Sequence, residues 1–263
     1  MKILVCVKAV PEPDDVIRFN GEFPEVHIGG ATSLRMNRFD EFAVEEAVRI
    51  KAAHPSTSVD VVGVGPAGAS KAVFRAVGMG ADAGFHIKTD NYAASCDAAY
   101  VSACIARFAA PKSYDLVITG IMSEDMMQMA TGPMLAERLR LPWATSVMIE
   151  NIREEDNNGQ SVYVERELEG GLREMRLIPL PALLTIQTGI NEPRYPSVSN
   201  LLRARAAGLT TIAAGSLNIL EKPTPIAGYA LPEKTRQGRI LDGTPMEKAI
   251  QLLTILRERD LLK

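Results

Sequence analysis

Apolar and polar positions come in alternating blocks along this chain. Ile3–Val7, Val59–Val64, Gly84–Ile87 and Leu116–Thr119 are short, nearly continuous apolar runs, the pattern of strands covered on both faces of a parallel sheet. Between them lie amphipathic segments at Phe42–Ala53, Ala67–Val77 and Cys96–Phe108, with another at Met127–Leu139 after the fourth run. Strand and helix in alternation predict an α/β fold, a doubly wound and mostly parallel sheet with right-handed crossovers. The texture then changes. Trp143–Glu150, Ser161–Leu168 and Leu172–Ile178 read as strands, and Gly170-Gly171 turns the last pair into a hairpin, which predicts an antiparallel addition to the parallel core.

The run from Thr185 to Ser197 reads as a buried strand ending in a stiff polar loop. Pro193 and Pro196 fix their own φ and bias Glu192 and Tyr195 toward extended geometry, so Arg194 and Tyr195 are expected to be held outward, where they can touch something beyond their own domain. Val198–Ala206 follows with the spacing of a short amphipathic helix, basic toward its end. From Gly208 to Gly243 periodicity fades and Pro223, Pro225, Gly228, Pro232 and Gly238 accumulate, which predicts an extended arm. Thr244, Pro245 and Glu247 then spell a helix start, and Met246, Ala249, Ile250, Leu253 and Leu256 make one apolar face. The expected division is a nucleotide-binding α/β domain over 1–207 and an arm with a terminal helix over 208–263. That helix packs on a partner subunit or folds back on the parent domain.

Composition narrows the function classes. The net charge is −3 and 46% of the 263 residues are hydrophobic, with a pI near 5.8, so there is no electrostatic footprint for nucleic acid. Cys6, Cys96 and Cys104 are odd in number and lack metal-ligand spacing, which suits a reducing compartment. The chain opens on a strand, with no targeting pattern and no apolar run of membrane-spanning length, so a cytoplasmic location without a membrane span is expected.

Ligands of open α/β sheets bind beyond the carboxyl ends of the strands. Gly63-Val64-Gly65-Pro66-Ala67-Gly68 is a literal GxGxxG between strand and helix, but no acidic residue stands at the end of the next strand to hold a ribose, so a tight turn is the competing reading and a standard dinucleotide fold is not supported. Asn37 and Asp40 are plausible helix caps in the first loop, with neighbouring amides able to meet an adenosine or a phosphate. The fourth loop, Gly120 to Pro133, enters a helix whose first amides form an anion site that needs no particular side chain. His27, His54 and His86 fall in unrelated segments, and no Ser/His/Asp, Cys/His or metal-ligand constellation is visible.

Several motifs occur in one order: Val7-Lys8; Met36-Asn37-Arg38-Phe39-Asp40-Glu41 with Ala43-Val44-Glu45-Glu46-Ala47-Val48; Val64-Gly65-Pro66; Met79-Gly80-Ala81-Asp82; Gly170-Gly171-Leu172; and Asn191-Glu192-Pro193-Arg194-Tyr195. In that order the chain resembles the β subunit of electron transfer flavoproteins over essentially its whole length. The resemblance implies an adenine nucleotide alpha hydrolase-like fold and a heterodimer. The α subunit would hold the redox-active FAD, and this chain would carry a structural AMP and no catalytic residues of its own. It also implies electrons arriving from an acyl-CoA dehydrogenase-type flavoenzyme of fatty acid β-oxidation and leaving to a quinone oxidoreductase.

Carried over position by position, the AMP contacts implied are Cys6, Asn37, Arg38, Phe39, Asp40, Val64 and the loop Gly120, Ile121, Met122, Ser123, Glu124, Asp125, Met126, Met127, Gln128, Met129, Ala130 and Thr131. Implied docking residues are Val198, where relatives usually carry leucine, with Leu201, Leu202, Arg203 and Arg205. The loop departs from the AMP-binding pattern, since Asp125-Met126-Met127-Gln128-Met129-Ala130-Thr131 lacks most polar side-chain ligands. AMP would then be held mainly by backbone amides and Thr131. The alternatives are a second FAD in this chain, as in electron-bifurcating members, or a stand-alone adenine-nucleotide-binding protein.

Overall fold

The computed structural model describes residues 1–12, 33–154, 159–224, 238 and 240–262. His27, Pro225, Gly228 and Pro232, singled out in the sequence, lie outside the described residues.

Four strands, β1 (Lys2–Val7), β4 (Ser58–Gly65), β5 (Ala83–Lys88) and β6 (Leu116–Gly120), stand where the apolar runs predicted them. Their residues are buried alternately toward two helical layers. Ile3, Val5, Val59, Val61 and Ile118 pack against α1 (Arg38–Ala53) and α2 (Ser70–Met79). Leu4, Cys6, Val62, Val64 and Val117 face α4 (Ala98–Ala109) and α5 (Thr131–Leu139). One strand thus feeds two cores, which is why its sequence is apolar throughout instead of alternating.

The sheet is larger than the four runs suggested. Its order among the described residues is β11-β5-β4-β1-β6-β10-β7-β8-β9, with β7 at Trp143–Glu154, β8 at Gln160–Glu167, β9 at Arg173–Pro179, β10 at Ala182–Ile186 and β11 at Thr210–Ala213. All pairings from β11 to β7 are parallel, while β7–β8 and β8–β9 are antiparallel. The β8–β9 turn uses Gly170 and Gly171, each at φ 75°. A short ribbon, β2 (Ala9–Pro11) with β3 (Leu34–Met36), leads from β1 toward α1. Chain order reverses between β4 and β6 on either side of β1, so the topological switch point lies at the carboxyl ends of β1 and β6.

Three expectations need correction. Residues 127–130 are not helical: Met127 and Met129 sit at φ 50° and 52°, left-handed geometry that α-helix cannot contain, so α5 begins at Thr131. The segment Cys96–Phe108 is broken at Asp97, between the single turn α3 (Ala93–Cys96) and α4. The stretch read as aperiodic from Gly208 first adds β11 to the sheet edge, Thr210–Ala213 pairing with Phe85–Lys88. After Glu221 to Thr224 the chain is next described in the terminal region, where α7 (Pro245–Glu258) carries the predicted Thr244–Glu247 capping box and exposes Met246, Ile250 and Leu253. No described helix is long and apolar enough to cross a membrane.

Candidate functional site

A cleft of about 670 Å³, counting its open mouth, lies at the switch point. Cys6 and Val64 are the next-to-last residues of β1 and β4, Asn37 directly precedes α1, and Gly120, Ile121, Met122, Ser123, Met126, Gln128, Met129, Ala130 and Thr131 belong to the stretch from the end of β6 to the start of α5; all of them line it. Asp40 lines it as well, whereas Arg38, Phe39, Glu124, Asp125 and Met127 do not.

The side chains of Asn37 and Arg35 hold the loop. Asn37 occupies the N-cap position of α1 but does not cap it. Instead its Nδ2 donates to the Met122 carbonyl at 2.9 Å and its Oδ1 accepts from the Glu124 amide at 3.1 Å. Glu124 turns away to Arg35, 2.9 Å, and to the Arg38 amide, 3.0 Å. Asp40, also expected as a cap, lies inside the helix and accepts from the Lys8 amide at 2.7 Å. Burial pushes its carboxyl up to about 7 against the pull of that bond.

Gly120 is required here, because a Cβ would stand 2.4 Å from Asp40 Oδ1 and 2.8 Å from the Phe39 carbonyl carbon. The loop therefore crosses directly on the first turn of α1. Gly132 has the same role on the far wall, where a Cβ would meet Thr185 Cγ2 at 2.5 Å.

The loop ends at an uncapped helix start. Ala130 offers no side-chain cap to α5, the first turn holds no acidic residue, and Pro133 has no N–H. The amides of Thr131 and Gly132 thus start a helix without an intrahelical acceptor, at its positive end. Met127 and Met129 in left-handed conformation fix the approach, and such strain in non-glycine residues clusters at ligand-binding loops.

Lys8, which sequence reasoning left out of the site, is the cation of the cleft lining. Its Nζ lies 2.6 Å from Asp125 Oδ2, which also accepts from Tyr92 Oη at 2.6 Å. Burial works against the charge of Asp125, yet Lys8 holds its carboxyl below the usual range. Asp125 Oδ1 is buried without a partner among the described residues. The placement of Lys8 directly after β1, at a switch-point strand end, is a signal the sequence contained. Ser95 and Cys96 of α3 and Val101 and Ile105 of α4 also line the cleft, and only tertiary packing brings these helices there. Burial pushes the Cys96 thiol up to about 11 and raises that of Cys6, so neither is a ready nucleophile.

The first two GxGxxG glycines serve packing: a Cβ on Gly63 would stand 2.7 Å from Val73 Cγ2, and one on Gly65 2.8 Å from Ala69 Cβ. Buried His86 bonds the Gly65 carbonyl through Nε2 at 3.0 Å, and burial lowers its basicity.

The second predicted surface follows β10. Arg194 does not reach outward as expected: its guanidinium and amide meet Glu45 of α1 at 2.8 to 3.0 Å. Asn191 Nδ2 donates to Glu46 at 2.6 Å and to the Phe42 carbonyl at 3.0 Å. Tyr195 is exposed, its ring 4.8 Å from the Arg75 guanidinium. α6 (Val198–Ala207) is capped by Ser197 and presents Val198, Leu202, Arg203 and Arg205 outward. Leu201, expected on that face, turns toward α2, where its Cδ2 leaves only 2.7 Å for a Cβ on Gly78.

A family model described as an electron transfer flavoprotein domain matches residues 31–217. The chain is 31% identical over 262 residues to the electron transfer flavoprotein subunit beta of Bacillus subtilis (strain 168), covering 98% of each chain. It is 34% identical over 264 residues to the subunit beta of Homo sapiens, covering 98% of this chain and 97% of that one. It is 32% identical over 219 residues to the subunit beta of Dictyostelium discoideum, covering 83% and 84%.

Proposed function

We propose a role from one premise: the chain belongs to the electron transfer flavoprotein β-subunit family. Its work is electron transfer as part of a flavoprotein carrier, in a heterodimer with an α subunit that holds FAD. When bound there, FAD supplies the redox chemistry. This chain supplies the platform, a structural AMP site and the surface on which an acyl-CoA dehydrogenase-type flavoenzyme docks before a quinone oxidoreductase takes the electrons, in the cytoplasm and in the service of fatty acid β-oxidation. The chain divides accordingly into a nucleotide-binding domain, 1–207, related in fold to adenine nucleotide alpha hydrolases, and a partner-binding arm, 208–263.

The observation that carries the AMP reading is the convergence of Cys6, Asn37, Val64 and the uncapped start of α5 on one cleft. Thr131, Gly132 and their amides suit a phosphate, and Lys8, paired with Asp125 behind the lining, is the lysine nearest to it in the cleft wall. Val198 and Leu202, exposed on a capped helix beside Arg203 and Arg205, suit an apolar pocket with an acidic rim.

A second reading, FAD in this chain, draws on one feature. A neighbouring depression lined by Met126, Gln128, Ala130 and Met134 shares its wall with the cleft, and so offers room for a longer ligand. Acid extraction of the purified heterodimer followed by chromatography decides: one FAD and one AMP are expected, and two FAD overturn the AMP assignment. Isolation of this chain alone as a stable, nucleotide-loaded homodimer overturns the heterodimer reading itself.

A further inference from the structure

The segment that carries Val198 rests on two glycines. Gly78 lies buried in the last turn of α2. A Cβ there would stand 2.7 Å from Leu201 Cδ2 and 3.3 Å from Pro196 Cβ. Gly78 is not needed to end the helix, because Gly80, at φ 131°, takes that part, and its own φ is not left-handed. What glycine supplies at 78 is a missing side chain. Gly84 does the same in β5, where a Cβ would meet Leu209, the residue before β11, and Val73 Cγ1 of α2 at 2.8 Å. Glycine inside a strand marks a close approach of this kind.

α6 buries little else. Ala204 is its one buried residue and Leu201 is half-buried, whereas Val198 and Leu202, one turn apart, are exposed. Tyr195, just ahead of the helix, is fixed separately. Its ring lies 4.8 Å from the guanidinium of Arg75, one turn before Gly78 on α2, and Arg75 Nε is held by Glu41 of α1 at 2.8 Å. The separation of two packed helices is set by the side chains at their contact. The bare backbone at 78 therefore determines how far Val198 and Leu202 stand out beside Tyr195.

We propose that Gly78 is a positioning residue for docking: it lets α6 sink onto α2, and the depth of that seat sets the height at which Val198 and Leu202 meet a partner's apolar pocket. This rests on the docking reading above and deepens it, since the surface is shaped from beneath by a residue that α6 covers.

The test uses the purified heterodimer as electron acceptor for an acyl-CoA dehydrogenase reduced by its acyl-CoA substrate. Gly78→Ala is expected to raise KM for the heterodimer about fivefold with kcat held within about twofold, the pattern of lost binding and not of lost chemistry. Bound flavin stays. Leu201→Ala, at a half-buried position, removes the seat from the other side and also raises KM; an unchanged KM there overturns the proposal even if Gly78→Ala does not fold. In the double variant the added methyl enters space the leucine has left, so KM lies below the product of the two single effects. Two factors that simply multiply mean that Leu201 acts on the partner directly, and they overturn the seat. An unchanged KM in Gly78→Ala, or a loss of flavin with falling kcat, overturns it as well, while a raised KM in Val198→Ala leaves docking itself standing. If Val198→Ala also has no effect, the docking reading falls and the seat with it.

Discussion

Two loops leave neighbouring parallel strands at the same end of the sheet and are held in opposite ways. The loop after β6 (Gly120 to Ala130) is held through its own backbone, Asn37 gripping the Met122 carbonyl and the Glu124 amide, and the start of α5 has no side-chain cap. The loop after β10 (Gln187 to Ser197) is tied by side chains to α1, Arg194 on Glu45 and Asn191 on Glu46, and so presents Tyr195 and Val198 to the outside. A loop gripped by its backbone leaves its side chains free to vary, and methionines are tolerated. Satisfied ion pairs facing in make a rigid base for outward apolar contacts.

The contrast can be broken most severely at the first loop. Gly120→Ala places a Cβ against the backbone of Phe39 and Asp40, which has no flexible end to yield. The expected cost is about 3 kcal/mol by denaturant unfolding, with loss of bound nucleotide. Unchanged stability would show that the loop does not rest on α1. Next comes the base of the second loop. Arg194→Ala strands a buried Glu45 carboxylate, but Arg194 is itself 45% exposed, so a cost of about 1–2 kcal/mol is expected. Nucleotide content should stay intact while electron transfer from the docked partner falls.

Protonation sharpens the comparison. Burial, with Glu46 beside it, raises the Glu150 carboxyl to about 8, and Asp40 rises to about 7. Each keeps its proton in the folded state at pH values where the unfolded chain has released it. Their stabilisation is full below the ordinary carboxylate range and is lost as pH rises through 7 and 8. Unfolding midpoints should fall between pH 5 and 8.5, and Glu150→Gln should flatten that slope; an equal slope in the variant excludes Glu150 as its source. The smallest effect on the fold belongs to Val198→Ala. With Val198 74% exposed, stability should hold within about 0.5 kcal/mol. Transfer at limiting partner concentration should slow about fivefold, from about 1 kcal/mol of lost apolar contact. Loss of flavin, or an unchanged rate, removes Val198 from the docking surface.

The parallel core was legible because strands buried on two faces must be apolar at every position, as Ile3 to Val7 are. The terminal capping box was legible because its chemistry is local. What escaped the sequence was long-range. Met127 and Met129 look helical by composition and are left-handed in place. Thr210–Ala213 is too short to read as a strand until β5 offers an open edge. Arg194 reads as exposed beside two prolines until Glu45, 149 positions earlier, claims it. Of the positions carried over by motif order, Cys6, Asn37, Asp40, Val64 and most of the loop line the cleft and Arg38, Phe39, Glu124, Asp125 and Met127 do not, while Lys8 and the wall of α4 depended on packing.

The position of β10 has a consequence for biosynthesis. It lies between β6 and β7, yet follows both in the chain, and its Ile186 carbonyl accepts from the Ile121 amide at the start of the cleft loop, 3.0 Å away. A nascent chain emerging amino end first has β7, β8 and β9 before it has the strand that joins them to β6. The antiparallel strands must wait as an unattached ribbon with open edges until residue 186 is released, a state exposed to mispairing. The loop after β6 gains its anchor on Ile186 at the same moment, so shorter ribosome-bound chains carry the cleft lining without that contact.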